Sequence, residues 1–259
     1  MRHVPRKRFG QNFLTDEAVI ADIIAAVAPQ PADRMIEIGP GLGALTRPLV
    51  ARLDHLHVVE IDRDIVARLK QDFPPERVTI HQGDALKFDF SALGPQLRVV
   101  GNLPYNISTP LLFHLARNTA NIRDIHVMLQ REVVARMVAR PASSDFGRMS
   151  VMLQYRFQME KILDVPASAF RPAPKVESAV VRLLPLVRGA GERCDEALFT
   201  RLVASAFAQR RKTLRNTLRN YLGREDFATL GVDPEARAQE LAVADFMRIA
   251  SYVASKRAA

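Results

Sequence analysis

A chain of 259 residues with 48% hydrophobic and 25% charged residues has the composition of a globular protein with a real core, enough for one large domain with a small appendage. Its formal net charge of +9 points to polyanionic partners, nucleic acid before an anionic membrane surface. A single cysteine, Cys194, excludes an intrachain disulfide and a cysteine-based zinc cluster, and fits a reducing, cytoplasmic setting.

The basic N-terminus, Met1-Arg2-His3-Val4-Pro5-Arg6-Lys7-Arg8, is followed by polar residues rather than a signal-peptide apolar segment. The longest apolar stretch, 18–28, is interrupted by Asp22 and is too short to span a bilayer, so a cytoplasmic monomer without membrane contact is expected. Arg6-Lys7-Arg8-Phe9-Gly10-Gln11-Asn12-Phe13-Leu14 is a basic loop with two aromatics and two amides, which either folds over a ligand or forms a solvated tail. Thr15-Asp16 can cap a helix with Val19, Ile20, Ile23, Ile24 and Val27 at helical spacing, ended by Pro29 and Pro31.

Met35-Ile36-Glu37-Ile38 is a strand running into Gly39-Pro40-Gly41-Leu42-Gly43, and a helix follows through Leu45, Leu49, Val50 and Leu53. Strand, glycine turn and helix make the first unit of an α/β, doubly wound sheet, whose ligands lie at the carboxyl ends of its strands. The next strand, His57 to Ile61, carries Glu60 21 residues after Gly39, where a carboxylate can accept from a ribose diol. The glycine spacing departs from the dinucleotide fingerprint, and Pro40 removes a backbone donor that a pyrophosphate would use. S-adenosylmethionine, with an amino-acid tail in place of the diphosphate, is therefore favoured over a nicotinamide cofactor. His55 and His57 share one strand face with no third ligand in view, and no metal is expected.

Val78-Thr79-Ile80-His81 is a third strand leading to Gly83-Asp84-Ala85, where Asp84 either accepts from an adenine amino group or simply forms a turn. The fourth, Leu97 to Gly101, ends in Asn102-Leu103-Pro104-Tyr105. There the Asn102 side-chain oxygen and the Leu103 or Pro104 carbonyl can each accept one N–H of an exocyclic amine while the Tyr105 ring stacks on the base. Holding both hydrogens out of plane localises the nitrogen lone pair for attack on an electrophile. Polar groups at successive strand ends favour a site over unrelated turns.

Ser108 or Thr109 can cap a helix through Leu115, 125–129 is a fifth strand, and 131–140 is an amphipathic helix with a Glu132–Arg136 pair. Another helix is expected over 149–157. Three prolines keep 165–176 out of helix and central strand, so it is either a stiff loop presenting Phe170 as a second aromatic wall or a plain connector. Ser178 to Leu184 would close the sheet. Past a glycine-containing linker near 185–193 the chain is helical by pattern, which divides it into a domain of 1–187, with a basic loop over 1–15, and a helical RNA-binding domain of 188–259. In the latter, Arg210, Arg211, Lys212, Arg215 and Arg219 occur without an acid among them. Arg211, Arg215 and Arg219 recur every fourth position as one helical stripe, with Leu214, Leu218 and Tyr221 facing a core, and a stripe of one sign favours phosphate contact.

Together, Phe9-Gly10-Gln11-Asn12-Phe13-Leu14, Glu37-Ile38-Gly39-Pro40-Gly41-Leu42-Gly43, Glu60-Ile61-Asp62, Gly83-Asp84-Ala85-Leu86, Asn102-Leu103-Pro104-Tyr105-Asn106-Ile107-Ser108 and Phe170-Arg171-Pro172-Ala173-Pro174-Lys175-Val176 resemble, in order, the motifs of the ribosomal RNA adenine N6-dimethyltransferases. The branch acting on the small subunit is the most similar, and the resemblance runs from about Lys7 to the end of the chain. It implies a Rossmann-like class I methyltransferase sheet with a small all-helical C-terminal domain. It also implies N6,N6-dimethylation of two adjacent adenosines near the 3' end of 16S ribosomal RNA on the small ribosomal subunit, coupled to ribosome biogenesis, with S-adenosylmethionine and no metal. Carried over by position, Gln11, Asn12, Leu14, Glu37, Gly39, Gly41, Glu60, Ile61, Asp84, Ala85 and Asn102 would surround the cofactor, and Asn102, Leu103, Pro104, Tyr105 and Phe170 the target base. Rival readings are a large-subunit enzyme of the macrolide-resistance type, a non-catalytic ribosome assembly factor using the same basic stripe, and a nicotinamide oxidoreductase.

Overall fold

The computed structural model describes residues 11–187, 189 and 194–258, so the basic residues of the N-terminal loop and most of the expected linker lie outside the described residues. Two compact units emerge. One contains the chain up to Val134 together with Gln158–Pro185; the other contains Ala135–Phe157 and the chain from Leu186 onward.

The first unit is built on a seven-stranded sheet. Its strands are β2 (Met35–Ile38), β3 (Leu56–Glu60), β4 (Val78–Gln82), β5 (Leu97–Asn102), β6 (Ile122–Gln130), β7 (Phe157–Val165) and β9 (Ser178–Pro185), in the order β4-β3-β2-β5-β6-β9-β7. From β4 to β6 all pairs are parallel, while β9 runs antiparallel to β6, with Val127 opposite Val181. Parallel strands covered on both faces read as unbroken apolar runs, and every residue of β2 is buried. Burying side chains such as Ile36 and Ile38 stabilises the fold by roughly 1.5–3 kcal/mol each. Strand order reverses between β2 and β5, and the carboxyl ends of both strands face that crevice.

Local chemistry starts the elements. Asp16 accepts from the backbone N–H groups of Ala18 and Val19 at 3.0 and 3.1 Å and so caps α1 (Glu17–Val27), which buries Ile23, Ile24 and Val27. Helices α2 (Thr46–Val50), α3 (Arg63–Asp72) and α4 (Ser108–Ala116) follow β2, β3 and β5, and α5 (Arg131–Val138) follows β6 directly. At the amino end of β5 the buried Arg98 donates to both oxygens of Asp124 at 2.8–3.1 Å, to Asp33 at 2.6 Å and to the Val27 carbonyl at 2.6 Å. A two-stranded ribbon completes the unit: β1 (Phe13–Leu14) pairs antiparallel with β8 (Phe170–Arg171). Thr15 and Asp16 also donate from their backbone to the Ala169 carbonyl, at 2.8 and 3.3 Å. The proline-rich segment is thus the edge to which the N-terminal segment is hydrogen-bonded. No helix among the described residues is long and apolar enough to cross a membrane.

The second unit contains α6 (Arg148–Gln154), α7 (Glu196–Ala206), α8 (Leu214–Thr217), α9 (Arg224–Leu230) and α10 (Val243–Ala258) around a core that includes Phe199, Leu202, Phe246 and Ile249. Four features differ from expectation. Residues 135–157 group with this unit and not with the sheet domain expected to run to 187, because Phe146, Val151 and Tyr155 pack into this core. The helix expected over 149–157 ends at Gln154, and Phe157 begins β7, an edge strand whose Glu160, Lys161 and Asp164 break the alternation that would have signalled it. Helix α3 was not anticipated. Finally, Arg211, Arg215 and Arg219 do not form one helical stripe. Helix α7 stops at Ala206, and the N–H groups of Leu214 and Arg215 bond the Ala236 and Pro234 carbonyls at 2.8 and 3.0 Å, so only Leu214–Thr217 is helical in the basic run. Leu214 and Leu218 are buried as expected, and Arg210, Arg211, Lys212, Arg215 and Arg219 are all exposed.

Candidate active site

A cavity of about 330 Å³ opens at the carboxyl ends of the parallel strands, lined by residues from five separate stretches of the first unit. From β2 come Glu37 and the glycine turn. Gly39 and Gly41 have φ of +66° and +53°, which side chains disfavour, and a Cβ on Gly41 would lie 3.0 Å from the Phe13 ring. From β3 come Glu60 and Ile61, and from the turn after β4 come Asp84 and Ala85. The chain after β5 supplies Asn102, Leu103, Pro104 and Tyr105, and the N-terminal segment supplies Gln11, Asn12, Phe13 and Leu14.

The carboxylates are unusually placed. Glu37 is 2% exposed and accepts from the Thr46 hydroxyl at 2.6 Å. Burial, with the Glu60 charge nearby, pushes its carboxyl up to about 8. Glu60 is also raised by burial, against the backbone N–H groups of Ile61 and Asp62 that it accepts at 2.9 Å each. Among the described residues neither forms an ion pair, so the cavity presents acceptors suited to a diol and to a cation. Ile61, 47% exposed, adds an apolar surface beside them. Asp84 caps the turn that follows it, accepting from Leu86 N at 2.9 Å.

At the end of β5 the hydrogen bonding selects the acceptors. The Asn102 amide nitrogen donates to the Asn12 carbonyl at 3.0 Å, which orients the side-chain oxygen as the remaining acceptor. The Pro104 carbonyl accepts from Ile107 N at 3.1 Å, whereas the Leu103 carbonyl has no partner among the described residues, so Leu103 is the better second acceptor of the two expected. The Gln11 amide donates to the buried Asp62 at 3.0 Å. Gln11–Leu14 therefore lie over the strand ends, and the rest of the loop expected to fold over a ligand or form a tail lies outside the described residues.

Phe170 requires a correction. Its ring is fully buried in the core cluster with Leu14, which it faces in the β1–β8 register, and it is not among the residues that line the cavity. Three residues that the sequence did not single out matter here. Thr46 holds Glu37. Ser178 lies 2.7 Å from the Tyr105 hydroxyl. Gly101 approaches β2 so closely that a Cβ would lie 2.5 Å from the Ile38 carbonyl oxygen. A glycine within an apolar strand was the one available signal.

Comparison with known proteins places the chain in a family. The family described as ribosomal RNA adenine dimethylase matches residues 2–255. A relative from Thiobacillus denitrificans named ribosomal RNA small subunit methyltransferase A is 63% identical over 98% of this chain and 100% of its own length. One of the same name from Aromatoleum aromaticum is 62% identical over 98% of this chain and 96% of its own. Among solved structures, a dimethyladenosine transferase from Plasmodium falciparum superposes with a TM-score of 0.81 over 95% of this chain and 98% of that one, at 23% identity. The 23S rRNA methyltransferase ErmE gives 0.71 over 92% and 98%, at 25% identity. The fold is that of these methyltransferases, and the chain belongs to the ribosomal RNA adenine dimethylase family.

Proposed function

We propose that this protein transfers methyl groups from S-adenosylmethionine to N6 of two adjacent adenosines near the 3' end of small-subunit ribosomal RNA, during ribosome biogenesis. The observation that carries this reading is the orientation of Asn102 by the Asn12 carbonyl, which leaves its side-chain oxygen as an acceptor in the stretch that lines the cavity together with Leu103. The names of relatives at 62–63% identity support the small subunit over the large. The lining fits the cofactor: Glu60 and Asp84 would hold its ribose and adenine, Gly39 and Gly41 admit its amino-acid tail, and Glu37 faces a cationic ligand. When bound, S-adenosylmethionine supplies an electrophilic methyl group on a sulfonium sulfur.

The chain's own residues do the rest. Asn102 and the Leu103 carbonyl accept the two N–H groups of an unstacked adenine and pull them out of conjugation, and Tyr105 stacks on the base. N6 gains a methyl group and loses a proton in each round. The alkylated nitrogen is acidic, so positioning and not a strong base supplies the acceleration. The exposed Arg211, Lys212 and Arg219, with Arg210 bonded to the Ser144 carbonyl at 2.6 Å and Arg215 to Glu235 at 3.0 Å, are the basic residues that would contact RNA phosphates. The protein acts in the cytoplasm as a monomer. Incubating unmethylated small subunits with labelled S-adenosylmethionine should yield N6,N6-dimethyladenosine in the RNA. Recovery of none, with the protein folded and cofactor bound, would overturn the reading.

A further inference from the structure

Among the described residues, Phe13 and Tyr105 are the aromatic ones that line the cavity; Phe13 rests on Gly41, and Tyr105 follows Asn102 in the stretch after β5. Two serines set its position. Ser108 Oγ donates to the Tyr105 carbonyl at 3.0 Å, and the phenol oxygen lies 2.7 Å from Ser178 Oγ. Ser178 is fully buried, is the first residue of β9, and sits opposite Gln130 in the antiparallel pair with β6. The same β6 takes the Leu103 N–H on its Met128 carbonyl at 3.1 Å. β6 therefore pairs both with the backbone that follows Asn102 and with the strand that carries the serine at the tip of the ring.

A tyrosine at the mouth of a cavity has two side-chain torsions, and an anchor at the far end of the ring restrains both. Any neighbour could satisfy a buried serine hydroxyl; here the partner is the tip of the Tyr105 ring, which lines the cavity with Asn102 and Leu103. Burial keeps the phenol above its usual 10, so it stays neutral and able to hold the bond at physiological pH. We propose that Ser178 is a positioning residue for methyl transfer, holding the Tyr105 ring in the attitude against which the target base stacks. This rests on Tyr105 being the stacking wall for that base.

The test measures turnover on unmethylated small subunits at saturating S-adenosylmethionine, cofactor affinity by calorimetry, and thermal unfolding, for Ser178→Ala, Tyr105→Phe, their combination, Ser178→Thr and Tyr105→Ala. Ser178→Ala and Tyr105→Phe should each lower kcat about tenfold, since small misplacements of a reacting group are costly. Cofactor Kd should stay within about twofold, and the double variant should be no slower than either single one, as expected for two halves of one contact. Ser178→Thr, which keeps the hydroxyl, should recover most of the rate. Tyr105→Phe guards against misfolding, because it removes the same bond and keeps the ring. Wild-type kcat in both single variants would overturn the inference, as would additive losses, or a fall in kcat matched by an equal loss of cofactor affinity. Wild-type kcat in Tyr105→Ala would instead refute the stacking role itself.

Discussion

The amino and carboxyl ends of the parallel strands bury charge in opposite ways. At the amino end, Arg98 is 5% exposed and fully engaged by Asp124, Asp33 and a main-chain carbonyl. At the carboxyl end, Glu37 and Glu60 are equally buried, yet among the described residues no cation pairs with them. Desolvation of a charge must be offset by partners or shift its protonation. The amino end takes the first course and Glu37 takes the second. A buried charge met by counter-charges serves the fold, and carboxyl groups beside a cavity that have hydrogen bonds but no cation among the described residues suit a ligand.

Breaking the satisfied end should have the largest effect. Arg98→Met leaves Asp33 and Asp124 without their buried partner and should cost about 3–5 kcal/mol in urea unfolding. A loss below about 1 kcal/mol would mean that the network contributes little. At the other end, Asn102→Ala should lower methyl transfer at least about 100-fold while cofactor affinity stays within about tenfold. Equal loss of both would argue against its role as acceptor.

Glu37→Gln sharpens the contrast through pH. The raised carboxyl of Glu37 contributes stability that is present in full below about 4.5 and is lost as pH rises through about 8. The glutamine variant, fixed in the neutral form, should therefore melt several degrees above wild type at pH 8, at roughly 2–4 °C per kcal/mol, and converge with it near pH 5. A difference that does not vary with pH would remove ionisation as the cause. The smallest effect lies outside both ends. Replacing Arg211, Lys212 and Arg219 should leave the melting temperature unchanged and flatten the salt dependence of RNA binding by about 0.7 per lost phosphate contact. An unchanged slope would return these side chains to solvent.

Periodicity and strand-end chemistry determined most of what this chain is. The apolar runs at Met35–Ile38 and Leu97–Gly101, the Asp16 cap, the glycine turn and the polar groups at successive strand ends are local signals, because each arises within a few residues of backbone. They were enough for the doubly wound sheet and for placing Glu60, Asp84 and Asn102 at the strand ends that line the cavity, whereas Glu37 entered only through the family resemblance. Tertiary structure alone decided what depends on pairing across long separations. Asn102 is oriented by Asn12, 90 residues away, and Tyr105 meets Ser178 across 73. Phe170 is buried in the core opposite Leu14, and carbonyls at Pro234 and Ala236 divided a basic run that its own spacing drew as one helix. A hydrogen bond between distant residues leaves no mark on the sequence near either partner.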